Sequence, residues 1–255
     1  MPVRLGQNGL GCIQMTDKYF GNKKYQKSVL KIIPESTRET FSMSSPSKIS
    51  KKSHRAFSLP AGPEFSCPGA TNACRDCYAQ KGRHFFKAVQ SLLAANWNLM
   101  RSFEKEDDAV GCALEISKAL PKSGIFRIHE SGDFHSQFAV NVWALVVQAN
   151  PRINFYAYTR SFNLNFSPLV QATNFMLWAS TDKFNLKEAK EVVRKYRHYK
   201  VKHAYGPWKH GSSLPEVSFV CPVTNGKLAV EGACERCNLC ILPNRTKKNV
   251  VFYIH

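Results

Sequence analysis

The sequence predicts an α/β fold in which parallel strands and crossover helices build a partial (β/α) barrel, with a basic N-terminal arm and a C-terminal cysteine-rich metal-binding segment. Three observations predict it. From Ala56 onward short apolar runs alternate with helical patterns, the texture of βαβ units rather than of a sandwich. Five strand candidates follow Gly124, with at least three helical crossovers between them. The first three of those strands each end in polar residues, as strands do where a parallel sheet opens onto a site.

The elements follow in order. Residues 1–55 carry eleven Lys/Arg against Asp17, Glu35 and Glu39 and end in a Ser-rich stretch from Ser42 to Ser53, which reads as a loosely structured basic arm. Over 85–103, Phe86, Val89, Leu92, Leu93, Trp97 and Met100 recur at three- and four-residue steps, so this stretch is a helix. The same pattern runs over 107–120 through Val110, Leu114 and Ile116 and stops before Pro121. Residues 125–129 alternate as a strand, and 138–150 form a helix closed by Pro151. Strands are expected at 153–159 and 175–180, and a basic helix at 186–199 opened by Asn185 as its cap. Strands at 200–205 and 217–220 complete the series. The organisation is thus an arm over 1–55, a barrel with a cysteine loop over 56–215, and a cysteine-rich segment with a basic tail over 216–255.

A chain of 255 residues with 44% hydrophobic side chains can bury a large core without a covalent staple. The net charge of +18, from 36 Lys+Arg against 18 Asp+Glu, makes a polyanion the leading partner class, with nucleic acid first. No stretch approaches the roughly 20 apolar residues that cross a bilayer, and the N-terminus lacks the apolar centre of a secretory signal. The expected setting is cytoplasmic, without a membrane partner. There the nine cysteines argue against a disulfide framework, and the clustering of seven of them points to metal.

The first cluster is Cys67, Cys74 and Cys77, a C-x6-C-x2-C array in a Gly/Pro-containing loop before the first long helix. It offers three thiolates and no fourth nearby. A structural zinc site asks for four ligands, whereas a 4Fe–4S cluster on three thiolates leaves one iron open to substrate or cofactor. Zinc completed by His54, His84, His129 or His135 is the rival. The second cluster is Cys221 with Cys234, Cys237 and Cys240, a closed set that suits a second iron–sulfur cluster or tetrahedral zinc. Cys112 lies in a helical apolar pattern and reads as a small buried hydrophobe, and Cys12 falls in the arm.

The polar strand ends supply the other candidates. His129, Glu130, Asp133 and His135 are the densest ionisable group, suited to acid–base work, cofactor binding or a fourth metal ligand. Alternation sends Arg127 and His129 together into the barrel lumen. Thr159 and Arg160 end the second strand, and the planar fork of Arg160 suits a carboxylate or phosphate. Ser180 ends the third. The run Arg194 to His203 interleaves cations with aromatics, and Lys209, Arg245, Lys247 and Lys248 add charge nearby, a pattern suited to single-stranded or flipped nucleic acid.

Two resemblances add to these readings. Phe57 to Gly62, Ser66 to Ala70, Cys74 to Arg83, Phe126 to Phe134, Phe155 to Ser161 and the terminal cysteine array resemble the bacteriophage family named for mycobacteriophage gene product eighty-eight, over roughly 56–242. That resemblance implies a phage or mobile-element origin and a host-cell setting. A looser likeness of layout, a three-cysteine loop at the front of a partial (β/α) barrel, is to the radical S-adenosylmethionine superfamily. It implies S-adenosylmethionine bound at the open iron, with Ser131, Gly132 and Asp133 in the place of that superfamily's methionine-binding stretch, and a reductase or other electron donor as partner. The expectation is therefore an iron–sulfur, radical-SAM-like enzyme modifying a nucleic acid or nucleotide. Its competitor is a non-catalytic nucleic-acid-binding protein stabilised by zinc or iron–sulfur centres.

Overall fold

The computed structural model describes residues 21–44, 54–242 and 246–253. Cys12, Arg245 and the Ser-rich stretch over 45–53 lie outside the described residues. The first helix, α1 (Lys23–Ile32), is capped by Asn22, whose side-chain oxygen accepts from the backbone N–H groups of Lys24 and Tyr25. The first strand, β1 (His54–Ala56), leads through a long loop to α2 (Lys87–Lys105) and α3 (Ala109–Lys118). The chain then alternates through β2 (Gly124–Ile128), α4 (Gln137–Ala149), β3 (Ile153–Thr159), α5 (Ser167–Val170), β4 (Phe175–Thr181), α6 (Leu186–Lys195) and β5 (Val201–Trp208). The C-terminal part holds β6 (Ser218–Val220), α7 (Ala233–Cys237) and β7 (Asn249–Tyr253).

The strands form one seven-stranded sheet in the order β1-β2-β3-β4-β5-β7-β6. Every pairing in it is parallel. Among the described residues β1 and β6 are edges with no pairing between them, so the expected α/β parallel sheet is present as an open one, without barrel closure. The C-terminal segment adds β7 between β5 and β6, so residues beyond 216 extend the same sheet.

Alternation along the strands divides the core. Phe126, Ile128, Phe155, Ala157, Phe175, Leu177 and Val201 face the helices, with Trp143, Val146 and Val147 of α4 and Ile116 of α3 packed among them. Tyr156, Met176, Trp178, Ala204 and Val250 face the opposite side, where Ile241 and the half-buried Cys221, Cys234 and Cys240 cover them. The cysteine-rich segment, α7 included, is thus the lid on the face that α3 and α4 leave bare.

The loosely structured arm is corrected where it is described. Tyr25 and Val29 lie four residues apart on one face of α1 and are wholly buried, together with Phe65 of the cysteine loop. Four lysines and a single narrow apolar stripe make this helix look solvated in sequence, although the stripe is enough to dock it.

Candidate functional site

The loop between β1 and α2 carries Cys67, Cys74 and Cys77 and is seated on the C-terminal ends of β2, β3 and β4. Leu59 donates its N–H to the Ser131 carbonyl at 2.9 Å, and the Ser131 hydroxyl returns a bond to the Leu59 carbonyl at 2.9 Å. Gly132 has φ +84°, and a Cβ there would meet the Ser66 hydroxyl oxygen at 2.3 Å, so only glycine lets the loop lie this close. At Gly69 a Cβ would stand 2.0 Å from the Arg160 carbonyl oxygen, which presses the loop against the exit of β3. Beyond β4, Thr71 donates to an Asp182 carboxylate oxygen at 2.7 Å. The same oxygen accepts from the Arg160 guanidinium, which also reaches the Gly206 carbonyl at 3.5 Å.

The expected convergence of polar strand ends is therefore present, and its members hold one another. Asp133 accepts from the N–H groups of Phe134 and Arg160, each at 2.7 Å. Burial pushes its carboxyl up to about 6 against those donors and the nearby Thr159 and Arg160. Each Asp133 oxygen thus takes one backbone N–H of the fold, which fixes the carboxylate at the strand exit. Thr159 accepts from the Ser161 N–H at 3.0 Å, and the Ser180 carbonyl accepts from the Asn185 side chain at 3.0 Å.

The expected placement of His129 beside Arg127 is corrected. Its φ of +59° breaks the strand alternation, so the side chain turns away from Arg127 and into the helix-side core. There Phe134, Phe57 and Trp143 surround it at ring separations of 4.9, 5.7 and 6.1 Å. Among the described residues neither ring nitrogen has a partner, and burial holds its pKa down at about 3, helped by His135 and Arg127. His135 lies on the same side, its Nε2 at 3.3 Å from Glu104 and its ring 4.9 Å from Trp97. His129 meets the cysteine loop at its first residue, Phe57. Glu130 meets it after the thiols: its carboxylate reaches Arg83 at 2.8 Å and His84 at 3.8 Å. Burial alone would raise its pKa, but His84, Arg127 and Arg83 hold it at about 2.

The three thiols feel one another. Burial first, then Asp133 and the other two cysteines, drive the Cys67 thiol well above its ordinary range, and burial with Cys74 pushes Cys77 up to about 11. Soft donors gathered this way, each opposing ionisation of the next, are the chemistry that a thiophilic cation relieves. Among the described residues, no three His, Cys, Asp or Glu side chains are close enough as they stand to hold an ion, so the fit rests on donor type and placement. Tyr25, expected as part of the basic arm, is buried within electrostatic reach of Cys67 and Cys77, which add to burial in raising its hydroxyl. Asn22 fixes the start of its helix to Gln80, three residues after Cys77, by bonds of 2.8 and 3.1 Å.

The second array lies on the bare face of the sheet. Trp178 donates its indole N–H to the Cys240 carbonyl at 2.8 Å, and Cys221 donates its N–H to the Val251 carbonyl at 2.8 Å. Asn238, left-handed at φ +56°, turns the chain between Cys237 and Cys240. Burial raises the Cys240 thiol, and Cys221, Cys234 and Cys237, all within electrostatic reach of it, raise it further.

A family model described as Gene product 88 matches residues 20–242. The chain belongs to the gene product 88 family. The Gene 88 protein of Mycobacterium phage L5 is similar, 31% identical over 213 residues that cover 77% of this chain and 85% of the phage protein. The Gene 88 protein of Mycobacterium phage D29 is 31% identical over 212 residues, with the same coverage. No solved structure matches. The gene product 88 match begins at residue 20, so it takes in α1 and Tyr25 along with both cysteine arrays.

Within this gene product 88 fold the cation-rich run Arg194 to His203 is not a continuous stacking surface. Tyr196 is buried and its hydroxyl accepts from the Phe166 N–H at 2.9 Å, while His203 is buried against Thr181 at 2.9 Å. Lys200 and Lys202 donate to the carbonyls of Thr173 and Thr246, and the exposed rings of this run are His198 and Tyr199. Among the described residues, no helix is long and apolar enough to cross a membrane.

Proposed function

We propose that this phage-family chain is an iron–sulfur, radical-SAM-like protein that acts on a nucleic acid or nucleotide at the C-terminal edge of its sheet. Cys67, Cys74 and Cys77 would hold a 4Fe–4S cluster with one iron lacking a protein thiolate. Cys221, Cys234, Cys237 and Cys240 would hold a second, closed centre, iron–sulfur or zinc. A centre of the first kind, with S-adenosylmethionine bound, would supply one-electron reductive chemistry, its electron coming from a partner reductase. The observation that carries the reading is the seat of the three-thiol loop on the strand exits, with Gly69 against the Arg160 carbonyl. In a parallel sheet these exits are where ligands gather.

The chain's own residues then divide as follows. Ser131, Gly132 and Asp133 position the loop, and Arg160 with Asp182 and Thr71 clamps its far side. Glu130, Arg83 and Arg127 carry charge at the mouth beside Tyr78, and the net charge of +18 draws a polyanion to it from cytoplasmic solution. The test is anaerobic purification followed by iron, zinc and acid-labile sulfide analysis. A brown protein with iron and sulfide bound is expected. A colourless protein carrying only zinc would overturn the iron–sulfur reading. It would favour instead the metal-stabilised, non-catalytic nucleic-acid-binding protein, which the packing of the four-cysteine segment against Tyr156, Met176 and Trp178 also suits.

A further inference from the structure

Tyr78 follows Cys77 directly and is 56% exposed. Exposed side chains are ordinarily free to rotate, yet this one is fixed at its far end. The hydroxyl donates to the Glu130 carbonyl, accepts from Nη2 of Arg127 at 3.1 Å, and the His84 ring meets the phenol ring edge-on at 6.3 Å. With the hydroxyl turned inward, the ring itself is what solvent meets. The cations beside it are also arranged for an anion. The two Glu130 oxygens go to Arg83 and His84. Arg127 lies with its guanidinium 5.1 Å above the Tyr158 ring; Glu130 bears on it electrostatically but gives its oxygens to those two partners, and the Arg127 Nε meets no acceptor among the described residues. A half-buried guanidinium with an unmet donor favours an anionic ligand.

We propose that Tyr78 is a fixed platform on which one nucleobase of a single-stranded nucleic acid stacks, with Arg127 and Arg83 taking the adjoining phosphates. The inference rests on the nucleic-acid part of the reading above and is independent of which metal the thiols hold. A flat ring offers every base the same π-face, so the platform selects single strands over duplex without reading sequence. Holding the ring in advance removes the ordering cost that a free tyrosine would bear on binding.

The experiment is fluorescence anisotropy with the full chain and two labelled probes, an oligothymidylate and an abasic strand of the same length, at one fixed salt concentration. Tyr78→Leu is expected to weaken binding of the oligothymidylate by about five- to a hundredfold and to leave the abasic strand unchanged. Tyr78→Trp should bind at least as tightly as the wild type, and Tyr78→Phe, which keeps the ring but loses its two hydroxyl bonds, should fall between. If Tyr78→Leu does not fold, the ranking of the Trp and Phe variants decides. Equal losses on both probes, or a Trp variant with native circular dichroism that has lost binding, would overturn the platform. Wild-type protein that binds neither probe would instead sink the nucleic-acid reading itself.

Discussion

At the scale of the residue, His129 has the clearest measurable consequence. An imidazole caged by Phe57, Phe134 and Trp143 with no partner for either nitrogen stays neutral, and its pKa lies near 3. In the unfolded chain the value returns to about 6.5. Below that pH the unfolded state binds a proton that the folded state refuses, so stability falls as pH drops from about 6.5 toward 3, by at most about 1.4 kcal/mol per pH unit. The charged groups that bear on the ring are His135 and Arg127. Urea melts of wild type and His129→Leu at neutral and mildly acidic pH should show this slope in the first and its loss in the second. The same slope in both would remove His129 as its source. Glu130 and Glu104, both held near 2, act lower: their contribution is present above about 4.3 and lost as pH falls toward 2.

Among the elements, α1 joins the basic N-terminal region to the cysteine loop. Its buried stripe is only Tyr25 and Val29, closed by Phe65 and flanked by Phe85, whose ring stands 5.9 Å from Tyr25. Tyr25→Ala should cost about 3–5 kcal/mol, as truncating other buried aromatics does, measured by denaturant unfolding. Because Tyr25 lies within electrostatic reach of Cys67 and Cys77, and its partner Phe65 belongs to their loop, the same change should also speed alkylation of those thiols in metal-free protein. Stability lost with no change in thiol reactivity would show that the helix packs on the domain without shielding the loop.

At the scale of the whole molecule, the two cysteine arrays occupy different structural positions. The first sits on strand exits that other contacts already hold, whereas the second, with α7, covers the sheet face opposite α3 and α4. Replacing Cys67, Cys74 and Cys77 together by Ser should leave the unfolding midpoint within a few degrees of wild type. Replacing Cys234, Cys237 and Cys240 should expose Tyr156, Met176 and Trp178 and yield protein that binds a hydrophobic dye or precipitates, because binding energy in a closed site is folding energy. Equal collapse of both triple variants would make the first array structural as well.

Periodicity and composition determined the parallel α/β pattern, the strands from β2 to β6, the helices α2, α3, α4 and α6, and the grouping of the seven cysteines, because each is written in local spacing. The terminal strand β7 and the docking of α1 were not legible, since a short apolar run and a two-residue stripe acquire meaning only against the surfaces they meet. Tertiary structure alone decided the side on which His129 lies, because a single left-handed residue reverses the alternation that places side chains on a strand. It also decided what Asp133 and Arg160 hold. Both look from the sequence like ligand-binding groups at a strand end, and in the fold each has partners in the chain, because the loop that bears the thiols comes to rest on them. Tyr78 is the converse case: nothing in its spacing marks it, and it stands out only because Glu130 and Arg127, from another element, fix an exposed ring in place.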